Sequence, residues 1–304
     1  MPAEGGGALR LLRAIGSRVA GRGLGLGRSP TVRRLWGALL RAASPGRGEL
    51  RVDTALAGTL FVRLDGSGLA EDLVSLGVWE RAESARFLAL VAPGMTVLDV
   101  GANIGWYTML AARAVGPAGR VIAVEPDPDC CDRIRRAAAA NGHAHVTVVQ
   151  AAASDRAGRA TFHLDAESWG HSLGAANVGR PAGTLEVETR TLDAIAAELP
   201  PPGRVDVLKV DVQGAEGMAL AGAAALLRRD RPALLMELEP GRLRAMGTDP
   251  LSLLESLEAL GYRIGTITED GREEALTLPE AIRRAEAVGI LNVVARAEAG
   301  GATA

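Results

Sequence analysis

The sequence predicts an α/β protein built on a mostly parallel, doubly wound sheet with helices on both faces. Three observations carry that reading. Short apolar runs alternate with helical segments from residue 96 onward. A glycine-bearing turn, Asp99 to Gly105, joins the first of these runs to the first helix. The chain of 304 residues, 48% hydrophobic and 23% charged, is long enough for a large core and too apolar to be disordered throughout.

Residues 1–48 stand apart. They carry nine Arg against a single acid, Glu4, whereas the remainder holds 25 basic and 35 acidic residues. Glycines 21, 23, 25 and 27 and the Ser44-Pro45-Gly46 break read as a flexible, solvated extension. Leu9, Leu12, Ile15 and Val19 recur at helical spacing, so a short amphipathic helix docking weakly on an anionic surface or partner is the alternative. Arg10, Arg13 and Arg18 interrupt any signal-peptide core, and no apolar run reaches the ~18–20 residues of a membrane-spanning helix. The adjacent Cys130 and Cys131 read as reduced thiols, which together with these absences implies a cytoplasmic protein.

A lead-in occupies 49–94. Thr59–Leu64 alternates like a strand and meets a turn at Asp65-Gly66, and Glu80–Val91 reads as a helix ending before Pro93-Gly94. The main domain, 95–298, then reads as strand Thr96–Val100, helix Gly105–Val115, strand Arg120–Val124, helix Asp129–Ala140 and strand Val146–Gln150. Further strands are Asp206–Val210, Pro232–Glu237, Tyr262–Ile267 and Ile290–Ala295, with helices near Gly214–Arg228 and Pro250–Leu260. Two more polar strands, Ala160–Leu164 and Leu185–Arg190, flank a long loop, Asp165–Gly183.

In such sheets ligands sit at the carboxyl ends of the strands, near the point where strand order reverses. Gly101, Asn103 and Gly105 supply a tight turn there, with close backbone approach and a helix start whose free N–H groups face the ligand. The spacing is not the dinucleotide fingerprint. The preceding acid, Asp99, suits a donor with positive groups and would repel a pyrophosphate, which favours S-adenosylmethionine over NAD. Glu125 ends the second strand, where a carboxylate accepts from both ribose hydroxyls. Ser154 and Asp155 follow the third strand, placed for an adenine amino group. Tyr107 and Thr108 open the first helix and are expected to line the donor pocket, with Trp106 as packing.

With these residues in view, the chain resembles the FkbM-type family of S-adenosylmethionine-dependent methyltransferases. The matching stretches are DVGANIGWYT (99–108), VGPAGRVIAVEPDP (115–128), TLD (191–193), KVDVQGAE (209–216), RPALLMELEP (231–240) and Leu291-Asn292. Weaker similarity runs through Leu60–Asp65 and Trp79-Glu80. The resemblance covers about residues 50–295. It implies a Rossmann-like, seven-stranded methyltransferase sheet with one antiparallel strand, and methylation of a hydroxyl on a secondary metabolite or sugar.

Methyl transfer from a sulfonium is an in-line displacement governed by proximity, and a base is needed only for the hydroxyl proton. Asp211, after the fourth strand, is the first candidate; Glu216, Glu237 and Glu239 follow, Glu216 also reading as a first-turn helix acid. The family pattern commonly has Glu where this chain has Gln213, which cannot act as a base. His171, in the 165–183 loop, is either a second base or substrate contact in a lid, or an exposed loop histidine. His143, His145 and His163 read as structural, and no cluster has metal-ligand spacing. Lys209, the only lysine beside 33 Arg, shares a strand face with Asp211. The partner is expected to be a hydroxylated small molecule and not nucleic acid, since aromatics are only 3% and the catalytic body is acidic. The rival classes are a methyltransferase-like scaffold that binds donor without turnover, and an NAD-dependent oxidoreductase.

Overall fold

The computed structural model describes residues 38–40, 42, 49–64, 68–167, 170–201 and 203–297. The amphipathic pattern at Leu9–Val19, and nearly all of the basic extension, lie outside the described residues. Leu40 is fully buried.

The lead-in is a hairpin and two helices. Strand β1 (Leu50–Thr54) alternates buried and exposed and pairs antiparallel with β2 (Gly58–Val62). Helices α1 (Leu69–Leu76) and α2 (Arg81–Leu90) follow. The α1 helix, absent from the sequence expectation, starts where the Glu71 carboxylate accepts from the Gly68 N–H at 3.0 Å.

The main domain runs β3 (Thr96–Val100), α3 (Trp106–Val115), β4 (Arg120–Val124), α4 (Pro128–Asn141) and β5 (Val146–Val149). An inserted sheet follows, made of β6 (Ala152–Ala153), β7 (Gly158–Asp165) and β8 (Pro181–Arg190) in the order β6-β8-β7. Then come α5 (Leu192–Ala197), β9 (Val207–Val210), α6 (Glu216–Ala221), α7 (Ala224–Asp230) and β10 (Ala233–Leu238). The described residues end with α8 (Pro240–Ala245), α9 (Pro250–Ala259), β11 (Tyr262–Ile267), β12 (Glu273–Ala275), α10 (Leu278–Val288) and β13 (Leu291–Ala297). The single helix expected over 214–228 is two short ones.

The central sheet has the order β12-β11-β13-β10-β9-β3-β4-β5. Strands β10, β9, β3, β4 and β5 pair parallel, and β13 pairs antiparallel with both β10 and β11. The expected count of seven is therefore corrected to eight. The extra edge strand, β12, arises because the Thr268–Gly271 turn folds the chain back along β11, antiparallel.

Strand periodicity sorts the core into two layers. Leu98, Val100, Leu208, Val210, Leu234, Met236 and Leu238 face one layer; Val97, Val207 and Leu235 face the other. Asp99, Lys209 and Glu237 occupy that second face by the same alternation. Cross-strand register places Asp99 beside Lys209.

Candidate active site

Chain order reverses between β3 and β9, which carry the chain to opposite sides of the sheet, and a cavity of about 360 Å³ opens at their carboxyl ends. Gly101 stands at that junction with φ +76°, a conformation open to glycine at little cost. A Cβ there would fall 1.8 Å from the Asp211 carbonyl oxygen, so no side chain fits. Asn103 follows with φ +49° and donates its backbone N–H to Glu125 Oε2 at 2.7 Å. The other Glu125 oxygen accepts from the Asp127 N–H at 2.9 Å. Burial pushes Glu125 up to about 7, against these two hydrogen bonds.

Of the residues expected to hold the donor, Gly101, Asn103, Tyr107 and Glu125 line the cavity. Asp99, Gly105, Thr108, Ser154 and Asp155 do not. Asp99 is 0% exposed, and one oxygen accepts from the Thr108 hydroxyl at 2.6 Å while Oδ1 has no partner among the described residues. Thr108 thus braces Asp99 beneath the cavity floor. Gly105, at φ +89°, begins α3 tight against Ile134 of α4. Ser154 and Asp155 turn away because β6 pairs with β8: the Ser154 N–H donates to the Arg190 carbonyl, and Asp155 pairs with Arg156 at 3.7 Å. Ala151, Ala152 and Ala153 line the cavity in their place. Trp106, expected as packing, lines it too and donates Nε1–H to Ser84 Oγ at 2.8 Å.

Across the junction stands Asp211. Lys209 Nζ donates to its Oδ2 at 3.1 Å, and Gln213 Nε2 donates to its Oδ1 at 2.9 Å. Arg242 in turn donates to Gln213 Oε1, which orients the amide so that its NH₂ faces Asp211. Lys209 lies 4.6 Å from the centre of the Tyr107 ring, a cation–π contact. Burial acts to lower its pKa, but the surrounding Asp211, Asp99, Glu80 and Glu237 carboxylates hold it above the usual lysine value. Glu237 and Glu239 also line the cavity, and Glu239 pairs with Arg242 at 2.9 Å. Glu216 does not: its Oε1 accepts from the Val212 and Gly214 N–H groups and shapes the loop after β9.

His171 lines the cavity on the Glu125 side, not beside Asp211. Its Nδ1 accepts from the Asp165 N–H at 2.9 Å, which leaves the ring proton on Nε2, 3.5 Å from Asp127 Oδ2. Burial raises Asp127, but the hydrogen bonds from His171 and the Asp129 N–H outweigh it and hold the carboxyl below its usual value. The 165–183 loop is stitched down: Ser172 bridges to His163, and the Ser172 hydroxyl and Asn177 amide both donate to the Gln213 carbonyl.

Glu80 was missed by sequence reasoning. It sits before α2 with φ +44°, lines the cavity and accepts from the Tyr107 hydroxyl at 2.7 Å. Burial, then Asp211, pushes it up to about 7. A left-handed, non-glycine residue leaves no periodic signal; the Trp79-Glu80 pair was the sole hint. Among the described residues no group of three or more His, Cys, Asp or Glu could hold a metal ion, and no helix is long and apolar enough to cross a membrane. Cys130 and Cys131 are free thiols buried on α4.

This arrangement defines a Rossmann-like nucleotide-binding domain of the methyltransferase type. The chain belongs to the methyltransferase FkbM domain family, whose model matches residues 99–264. It is 30% identical over 156 residues to the 2-O-methyltransferase NoeI of Sinorhizobium fredii, covering 47% of this chain and 63% of that protein. It is 41% identical over 51 residues to the ribosomal RNA large subunit methyltransferase E of Nitrosomonas eutropha, covering 17% and 25%. The chain spans less than two thirds of the length of the curated relatives it matches. The crystal structure of methyltransferase FkbM from Methylobacillus flagellatus aligns with TM-score 0.40 at 14% identity, covering 87% of this chain and 59% of that one. Family membership removes the oxidoreductase reading. S-adenosylmethionine is the cofactor of this family, and the Gly101 cradle and the buried Glu125 fit it.

Proposed function

We propose that this protein methylates a hydroxyl of a small molecule, with S-adenosylmethionine as donor and Asp211 as the base. The observation that carries this reading is the Lys209–Asp211–Gln213 arrangement, facing the Gly101–Glu125 cradle across one cavity. S-adenosylmethionine supplies an electrophilic methyl group on a sulfonium. Glu125 would accept from the ribose hydroxyls, and Gly101 and Asn103 would let the backbone approach the donor closely. Ala151–Ala153 would offer the adenine an apolar wall.

Asp211 has one oxygen held by an ammonium and the other by an amide, so its remaining lone pairs are aimed, not free to rotate. It accepts a hydrogen bond from the acceptor hydroxyl and takes up that proton as the C–O bond forms. Lys209 holds Asp211 in place through its hydrogen bond and offsets the neighbouring carboxylates. Glu237 borders the acceptor. His171, on the donor side, ties the 165–183 loop to Asp127 at the cavity wall. The acidic surroundings of Asp211 disfavour a phosphate backbone, which supports a small molecule over nucleic acid. The reduced, buried cysteines support a cytoplasmic location.

The test is calorimetric titration with S-adenosylhomocysteine, followed by mass-spectrometric assay of methyl transfer to hydroxylated acceptors. Micromolar binding with a 14-Da mass gain is expected. Absence of binding would overturn the reading; binding without transfer to any acceptor would leave a scaffold.

A further inference from the structure

The cavity divides at the β3–β9 junction, and its two halves differ in charge. On the β3–β4–β5 side lie Gly101, Asn103, Glu125 and Ala151–Ala153. On the β9–β10 side lie Asp211, Glu237 and Glu239, with Glu80 above them. Two of these four carboxyl groups have a cation of their own: Asp211 has Lys209, and Glu239 has Arg242. Glu80 is met by a neutral phenol, Tyr107. The Glu237 carboxyl receives no hydrogen bond from any described residue; it is half-buried and opens into the cavity.

Burial and the nearby Asp211 raise both Glu80 and Glu237, Glu237 well above the ordinary carboxyl value. The charged forms of both carboxyls are thus disfavoured by their surroundings, and a cation brought by a ligand would favour them. S-adenosylmethionine brings one net positive charge, fewer than these two carboxyls, which feel Lys209 but make no ion pair with a described residue. The rim is apolar: Trp79, Leu173 and the 40% exposed Ile290 offer a face for a ring.

We propose that the acceptor carries a protonated amine near its reacting hydroxyl, as in an amino alcohol or amino sugar, and that Glu237 and Glu80 bind this ammonium. This rests on the acceptor side assigned under the proposed function. The ammonium stays protonated and is not the nucleophile; the hydroxyl, whose proton goes to Asp211, is. A phosphate or carboxylate near the reacting group is excluded by the same wall.

The test uses three small probes of similar size and different charge: ethanolamine, ethylene glycol and glycolate. Each is titrated calorimetrically into the full chain saturated with S-adenosylhomocysteine, at matched ionic strength and pH 8. Ethanolamine should bind about tenfold more tightly than ethylene glycol, roughly the effect of one satisfied charge pair, and glycolate should not bind. Glu237→Gln should abolish the preference while leaving S-adenosylhomocysteine affinity within twofold; if that variant does not fold, Glu80→Gln serves the same comparison. Equal responses to ethanolamine and ethylene glycol, including none to either, would overturn the proposal, as would a preference that survives Glu237→Gln. Failure of S-adenosylhomocysteine itself to bind would instead overturn the donor reading, which separates the two.

Discussion

Lys209 Nζ lies 3.1 Å from Asp211 Oδ2, two residues along the same strand face, and Asp99 is its cross-strand neighbour. A single ammonium thus serves a group of buried carboxyls. The lysine side chain is 6% exposed and is capped by the Tyr107 ring. Arginine is too large and planar for that space, so the informative replacement is an isosteric apolar one. Lys209→Met should lower stability by about 3 kcal/mol, the usual effect of orphaning a buried charge partner, and should reduce turnover. Urea denaturation reads the first; a loss below about 1 kcal/mol would mean the carboxyls do not depend on the ammonium.

Asp211→Asn keeps the shape of the side chain and its contact with the cavity but removes the proton acceptor. S-adenosylhomocysteine affinity should change less than threefold, and turnover should fall by about 10²-fold or more, the typical contribution of a positioned base. Unchanged turnover would take Asp211 out of the chemistry and leave proximity alone.

Gly101→Ala tests the cradle. The backbone conformation at φ +76° and the 1.8 Å approach to the Asp211 carbonyl both oppose a methyl group. Stability should drop by at least ~2 kcal/mol, and donor affinity should fall with it. A variant as stable as the parent, measured by thermal unfolding, would mean the β3 and β9 ends are not in this contact.

Glu80, Glu125 and Glu216 are each pushed from 4.5 up to about 7, burial being the largest cause in all three. The folded state therefore holds more protons than the unfolded chain between pH 4.5 and 7. Unfolding releases them, so these groups make stability fall as pH rises across that window and contribute no further slope above it. Denaturation midpoints should be higher at pH 5.5 than at pH 8 for the protein without donor. Replacing Glu216, which lies off the cavity, with Gln should flatten part of that slope. A midpoint that rises steadily from pH 5 to 8 would contradict the assignment.

The sequence by itself determined the doubly wound sheet, because strand and helix periodicity alternate without tertiary help in β3, α3, β4, α4 and β5. It also placed Gly101, Glu125 and Asp211 at the carboxyl ends of their strands, where all three line one cavity. Only the tertiary structure decided which neighbours reach the cavity. Asp99 and Thr108 were withdrawn into a pair beneath the floor because α3 sets the Thr108 hydroxyl against the Asp99 carboxylate, 2.6 Å away. Ser154 and Asp155 were carried off by β6 pairing with β8, a contact between residues 37 apart in the chain. Glu80 entered from outside the main domain through a left-handed turn that no pattern announces. Gln213, which sequence reasoning counted as a lost base, proved to be a donor that aims Asp211, and that role depends on Arg242 arriving from another element. Local periodicity encodes elements and their ends; which side chains share a cavity is set by pairings between segments distant in the chain.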